Sequence, residues 1–145
     1  MRIKIFRYNP QKGTGNRMLE YIKGMDVSSM DEIEQLGAVF YDEGKQGDLL
    51  EILKKYGSNY IRLRLWNDPR SEDGKPYGAG NTDYEVTLRM AKRVKAAGMK
   101  FLLDFHYSDF WADPAKQMSP KAWGTMDLTQ KCSALYAFTT DALTQ

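Results

Sequence analysis

Two short segments, YIRLRLW (60–66) and KFLLDFH (100–106), alternate apolar with polar residues, and this limits the chain's folding more than any other feature. Successive side chains of an extended strand point to opposite faces. Ile61, Leu63 and Leu65 therefore share one face of the first segment, opposite Arg62, Arg64 and Trp66. Phe101, Leu103 and Phe105 share one face of the second, opposite Leu102, Asp104 and His106. The apolar faces have to pack on something. The opposite faces carry two arginines, an aspartate and a histidine, and burying charges unpaired is costly. That side must meet solvent or form a polar pocket. An antiparallel sheet with one wet face is one solution.

The flanking sequence favours a parallel sheet. Three similar units follow one another, each a strand, a loop and a helical segment. In the first, a strand over about Tyr21 to Val27 leads into SSMDEIEQLG, where Ser29 is expected to cap a short helix and Gly37 to stop it. VFYDEGKQG reads as a loop. Asp48 then caps a second helical stretch with an apolar stripe of Leu49, Leu50, Ile52 and Leu53, and Gly57 stands where a helix-ending glycine belongs. The second unit has its strand at Tyr60 to Trp66, a long loop (NDPRSEDGKPYGAGN) and a helix over about Asp83 to Ala97. Asp83 or Thr82 is its cap, Val86, Met90, Val94 and Ala97 fall at helical spacing, and Gly98 ends it. The third has its strand at Lys100 to His106, a loop to about Met126 and a helix opened by Asp127.

Parallel strands covered on both faces read as unbroken apolar runs, and these do not. A (β/α)8 barrel resolves the conflict, because its inner face becomes an active site at the C-terminal ends of the strands. Arg64, Trp66, Asp104 and His106 lie near those ends. The long loops follow the strands, whereas the turns after the helices (KYGSN, AAGMK) are short. The expected fold is α/β, about three βα units from the N-terminal portion of such a barrel.

Charge excludes some partners. The 21 basic and 19 acidic residues leave +2, with no basic stripe of the kind nucleic acids require. The start, MRIKIFRYNPQ, has no apolar core of a secretory signal, and no later run is long enough to span a membrane, so the chain as given is expected in the cytoplasm. The single cysteine, Cys132, allows no internal disulfide and is expected to be a small buried hydrophobe. Several aromatics cluster between residues 101 and 123. Such rings stack on sugar C–H faces in carbohydrate clefts, although composition alone fits ordinary core packing as well.

The segments GMDVSSM (24–30), NYIRLRLWNDP (59–69), AKRVKAAGMKFLLDFHYSDFWADPAKQ (91–117) and PKAW (120–123) resemble glycoside hydrolase family 53, the endo-β-1,4-galactanases that cut galactan and arabinogalactan side chains of pectin. The resemblance covers about residues 22 to 143. It implies a retaining glycosidase in which one glutamate acts as acid/base and a second as nucleophile, about 5–5.5 Å apart. It implies secretion for the family, and no cofactor. Calcium, where bacterial members bind it, lies late in the barrel, so no metal site is expected here. The family's acid/base follows an asparagine at the end of the fourth strand, and its nucleophile ends the seventh. No Asn-Glu pair occurs in this sequence, and its glutamates (20, 32, 34, 43, 51, 72 and 85) fall on predicted helices, loops or the N-terminal segment. The resemblance therefore implies a fragment that lacks both catalytic glutamates and is inactive alone. The alternative is a non-catalytic carbohydrate-binding or scaffold half barrel.

The supporting roles implied are these. Arg64 or Arg62, with Arg64 preferred, would hydrogen-bond the nucleophile and keep it ionised. Arg62 could equally form a structural ion pair with Asp104. His106 would line the −1 sugar site, and Asp26 would bond either the inner network or a sugar hydroxyl. Asp104 belongs to the substrate-binding face. Trp66, Trp111 and Tyr107 would stack on sugar rings. Trp123 would anchor its loop, and Asp109 and Asp113 would shape theirs through backbone N–H groups.

Residues 1 to about 20 fall outside this match. IKIFRYNPQKG alternates like a strand and weakly resembles the opening hairpin of the iron–sulfur subunit of succinate dehydrogenase or fumarate reductase, without the cysteines that hold its clusters. The organisation expected is an unmatched segment over 1–20 and a partial barrel over 21–145. Three of eight units would leave two open sheet edges, through which the chain could self-associate.

Overall fold

The computed structural model describes residues 21–144, so the strand-like reading of 1–20 lies outside the described residues. In chain order the elements are β1 (Gly24–Asp26), α1 (Met30–Gln35), β2 (Phe40–Asp42), β3 (Lys45–Gly47), α2 (Leu49–Lys55), β4 (Tyr60–Leu65), α3 (Tyr84–Ala96), β5 (Lys100–Phe105) and α4 (Leu128–Thr144), with a 3-10 turn at Lys121–Trp123 before α4. β1, β4 and β5 form a parallel sheet in the order β1-β4-β5. Asp26 stands opposite Arg62, and Arg64 opposite Asp104.

The apolar faces pack as the alternation requires. Ile61 and Leu63 of β4 are fully buried against Leu50 of α2 and Met90 and Val94 of α3, with Val27, Met30, Ala97 and Met99 closing the cluster. Each fully buried aliphatic of this size contributes about 1.5–3 kcal/mol relative to exposure. The helices begin where their caps lie. Asp48 accepts the N–H groups of Leu50 (2.8 Å) and Glu51 (3.4 Å), and Asp83 that of Val86 (2.9 Å). Asp127 and Gln130 exchange bonds, each side chain accepting the other's N–H, at 2.8 and 2.9 Å.

An ion-pair ladder ties the layers together. Arg89 on α3 donates to Asp31 on α1 (2.6 and 3.1 Å). Arg93, one turn on, donates to Glu34 on α1 (2.5 and 3.1 Å) and to Asp48 (2.8 Å).

Four expectations need correction. The first strand shortens to Gly24–Asp26, because Lys23 and Tyr21 bond the Asn59 side chain rather than β4. Ser29 does not cap α1 with its side chain: its backbone is already helical (φ −90°, ψ 0°), whereas side-chain capping needs an extended residue. Residues 40–47 are an antiparallel hairpin rather than a loop, closed through Glu43 and Gly44 at φ 50° and 78°. Cys132 is exposed, as are Leu128 and Tyr136, because much of α4 has no packing partner among the described residues.

No helix among the described residues is long and apolar enough to cross a membrane.

Candidate active site

The register puts charged side chains from three adjacent strands on one face. Arg62 links its neighbours: one guanidinium nitrogen donates to Asp26 and the other to Asp104. Nε2 of His106 lies 3.0 Å from the same Asp104 oxygen. Nδ1 of His106 accepts from the indole N–H of Trp66 at 3.2 Å. The second Asp26 oxygen accepts from the backbone N–H (2.9 Å) and hydroxyl (2.6 Å) of Ser28, and that hydroxyl accepts the N–H of Arg64 at 3.0 Å. A continuous polar chain thus runs Ser28, Asp26, Arg62, Asp104, His106, Trp66. Burial opposes ionisation of Asp26, but the two Ser28 bonds, then Arg64 and Arg62, hold its carboxyl below the ordinary aspartate value.

Arg64 differs from Arg62. The side chain of Arg62 is 44% exposed, whereas Arg64 is 4% exposed. Its guanidinium lies 3.8 Å from the centre of the Trp111 ring and 5.2 Å from that of Trp66. Burial pushes its pKa down; Asp26 and Asp104 oppose that and Arg62 adds to it. Its head group has one hydrogen bond, from Nη2 to the carbonyl of Ala79 at 3.1 Å, and its buried Nε has no acceptor among the described residues.

Trp66 is fully buried, whereas Trp111 is 43% exposed beside it. Tyr107 does not join them. At φ 46° its backbone turns left-handed, its ring stacks on Phe105 at 5.4 Å, and its hydroxyl bonds Thr139 of α4 at 2.9 Å. Asp109 accepts the N–H groups of Asp68 (2.9 Å) and Lys121 (2.7 Å), joining two loops, and Asp113 accepts those of Ala115 and Lys116. Trp123 is buried, in the 3-10 turn that Asp109 anchors through the Lys121 N–H. An apolar-lined groove opens between this region and α4; His106 and Tyr107 border it, with Met118, Trp123, Cys132 and Leu135.

The sequence reading passed over two contributors. Ser28 is buried and joins Asp26 to the Arg64 backbone. The turn Gly78–Asn81 supplies the Ala79 carbonyl. Its signal was present as two glycines and an asparagine within four residues, the types that adopt positive φ most easily.

This arrangement can bind and orient a polyhydroxylated ligand, since it presents donors, acceptors and an exposed indole together. Arg62 engages one oxygen of Asp26 and one of Asp104. The glutamates of the described residues lie on α1, α2, α3, the hairpin turn or a loop, none within β1, β4 or β5. Among the described residues no group of three or more His, Cys, Asp or Glu side chains is arranged to hold a metal ion.

Comparison with known proteins gives a consistent result. The family model of glycosyl hydrolase family 53 matches residues 22–145. The endo-β-1,4-galactanase of Bacillus subtilis is 48% identical over 125 residues, covering 86% of this chain and 29% of the relative. The arabinogalactan endo-β-1,4-galactanase of Cellvibrio japonicus is 40% identical over 121 residues, covering 83% of this chain and 30% of the relative. A solved catalytic domain of the same family from Ignisphaera aggregans superposes with a TM-score of 0.82 at 50% identity, over 84% of this chain and 34% of that one. The chain spans less than a third of the length of these two curated relatives.

Proposed function

The chain belongs to glycosyl hydrolase family 53, its β/α units being the N-terminal portion of a (β/α)8 barrel, and we propose that it supplies the arginine-bearing, sugar-facing part of an endo-β-1,4-galactanase active site. The substrate on this reading is galactan or arabinogalactan. The acid/base and nucleophile glutamates come from later strands, and the 145-residue chain is inactive by itself.

The observation that carries the proposal is Arg64. A buried guanidinium with one carbonyl bond and an Nε that has no acceptor among the described residues is a costly arrangement unless an anion completes it. A carboxylate arriving at a neighbouring strand end meets that need and is kept ionised by it, which suits a nucleophile that must attack as the anion. Around that position Arg62, Asp26 and Asp104 form an ion-paired floor, and the Trp66 indole orients His106. The exposed edge of Trp111 offers an apolar surface for a galactose ring.

A second reading, a half barrel that binds carbohydrate without cleaving it, draws on the same exposed Trp111 and on the ion pairs of Arg62 with Asp26 and Asp104. Incubating the purified chain with galactan separates these readings from an active enzyme. No galacto-oligosaccharide should be released; release would sink the assignment of the catalytic pair to later strands.

A further inference from the structure

Gly78, Ala79, Gly80 and Asn81 all have left-handed backbone, at φ 84°, 60°, 102° and 43°. Glycine adopts this region freely; alanine does so rarely and under strain, so the run must be held by its surroundings. Glu32 on α1 holds it. One carboxylate oxygen accepts the N–H of Gly80 at 2.6 Å, and the other accepts from the Asn81 side-chain amide at 2.6 Å. The Asn81 amide oxygen accepts the N–H of Gly78 at 2.8 Å, closing the turn. Gly80 is pressed onto the connection between β1 and α1 so tightly that a Cβ there would stand 2.2 Å from the Ser28 carbonyl oxygen. Within this turn the Ala79 carbonyl receives the only hydrogen bond that the Arg64 guanidinium makes among the described residues.

We infer that Glu32 is a positioning residue for Arg64. It acts through Gly80 and Asn81 to aim the Ala79 carbonyl, and that carbonyl sets the guanidinium over Trp111. The consequence for sugar recognition rests on the function proposed above; the geometric coupling from Glu32 to Arg64 does not.

Glu32→Gln tests the coupling with little change of shape. Its amide offers one acceptor where the carboxylate offered two, so its NH2 meets a donor at either the Asn81 amide or the Gly80 N–H. Adding Asn81→Asp restores a donor–acceptor pair and the original net charge. In nitrogen-15-edited spectra of the full chain, Glu32→Gln should speed solvent exchange of the Arg64 Nε proton by about tenfold, a charged hydrogen bond having been removed from its support. The double variant should return that rate to within about twofold of the parent. Asn81→Asp alone, setting carboxylate against carboxylate, should loosen Arg64 as Glu32→Gln does. A fall in thermal midpoint with unchanged Arg64 exchange would show a purely structural role and overturn the inference. So would a double variant that fails to recover. Galactotetraose titration runs in parallel. If the parent chain does not bind it, the sugar-binding reading fails and the exchange data still decide the coupling.

Discussion

The indole N–H of Trp66 donates to Nδ1 of His106 across 3.2 Å, and this fixes which imidazole nitrogen carries the proton. An indole can only donate, so Nδ1 is the acceptor and Nε2 is the N–H that reaches Asp104 at 3.0 Å. A buried, fully packed tryptophan thereby controls the side of histidine that meets the polar face.

Replacing Trp66 with Phe should release that control. Nitrogen-15 shifts of His106 should show a pyridine-type Nδ1 in the parent and a mixture of tautomers in Trp66→Phe. An unchanged His106 spectrum would mean that Asp104 alone sets the tautomer.

Asp26 should shape the acid limb of stability. Its folded pKa lies below the unfolded value of 3.8, so its contribution is fully present above that value and lost as pH falls through the folded one. Asp26→Asn should cost about 1 kcal/mol near neutrality, a modest figure because the group is partly exposed. The difference from the parent should shrink toward zero well below pH 3.8. Urea unfolding as a function of pH reads this directly; a constant difference at all pH values would argue against the Ser28 and Arg62 contacts as its source.

Gly80→Ala and Gly74→Ala form a matched pair. Both glycines have positive φ, but nothing lies within 4 Å of a Cβ at Gly74, whereas one at Gly80 meets Ser28 backbone. The first substitution should cost about 3 kcal/mol or more and the second about 1 kcal/mol, by denaturant unfolding. Equal losses would mean that the turn can move away from β1.

The ion-pair ladder makes a further contrast. Arg93→Ala removes the shared partner of Glu34 and Asp48 and should cost about 1–2 kcal/mol. Arg70→Ala breaks only a 3.8 Å contact to Asp83 and should cost less than about 0.5 kcal/mol. Losses of similar size would remove the ladder from the account of how α1 is held on α3.

How much of this was legible in the sequence follows from physical range. Strand alternation acts residue by residue, so it sufficed to put Arg62, Arg64, Asp104 and His106 on one face. Helix caps are equally local, and Asp48, Asp83 and Asp127 were readable for that reason. The left-handed backbone of Tyr107 was not, because residue type does not announce it at an aromatic residue; the contacts to Phe105 and Thr139 that hold it come from tertiary packing. The hairpin at 40–47 escaped because Glu-Gly is a weaker turn signal than Asn-Gly and its strands are only three residues long. The bond from Arg64 to Ala79 escaped because it joins a strand to a loop in a way that no spacing records.

The most direct test of the account is a titration of the chain with galactotetraose, followed through the indole N–H signals of its three tryptophans and the imidazole of His106. The account predicts shifts at Trp111, Trp66 and His106 larger than any at Trp123, which meets His106 only across the groove toward α4. Binding that shifts Trp123 alone, or no shift at any of the four, would contradict the claim that the strand-end polar face is where the sugar lies.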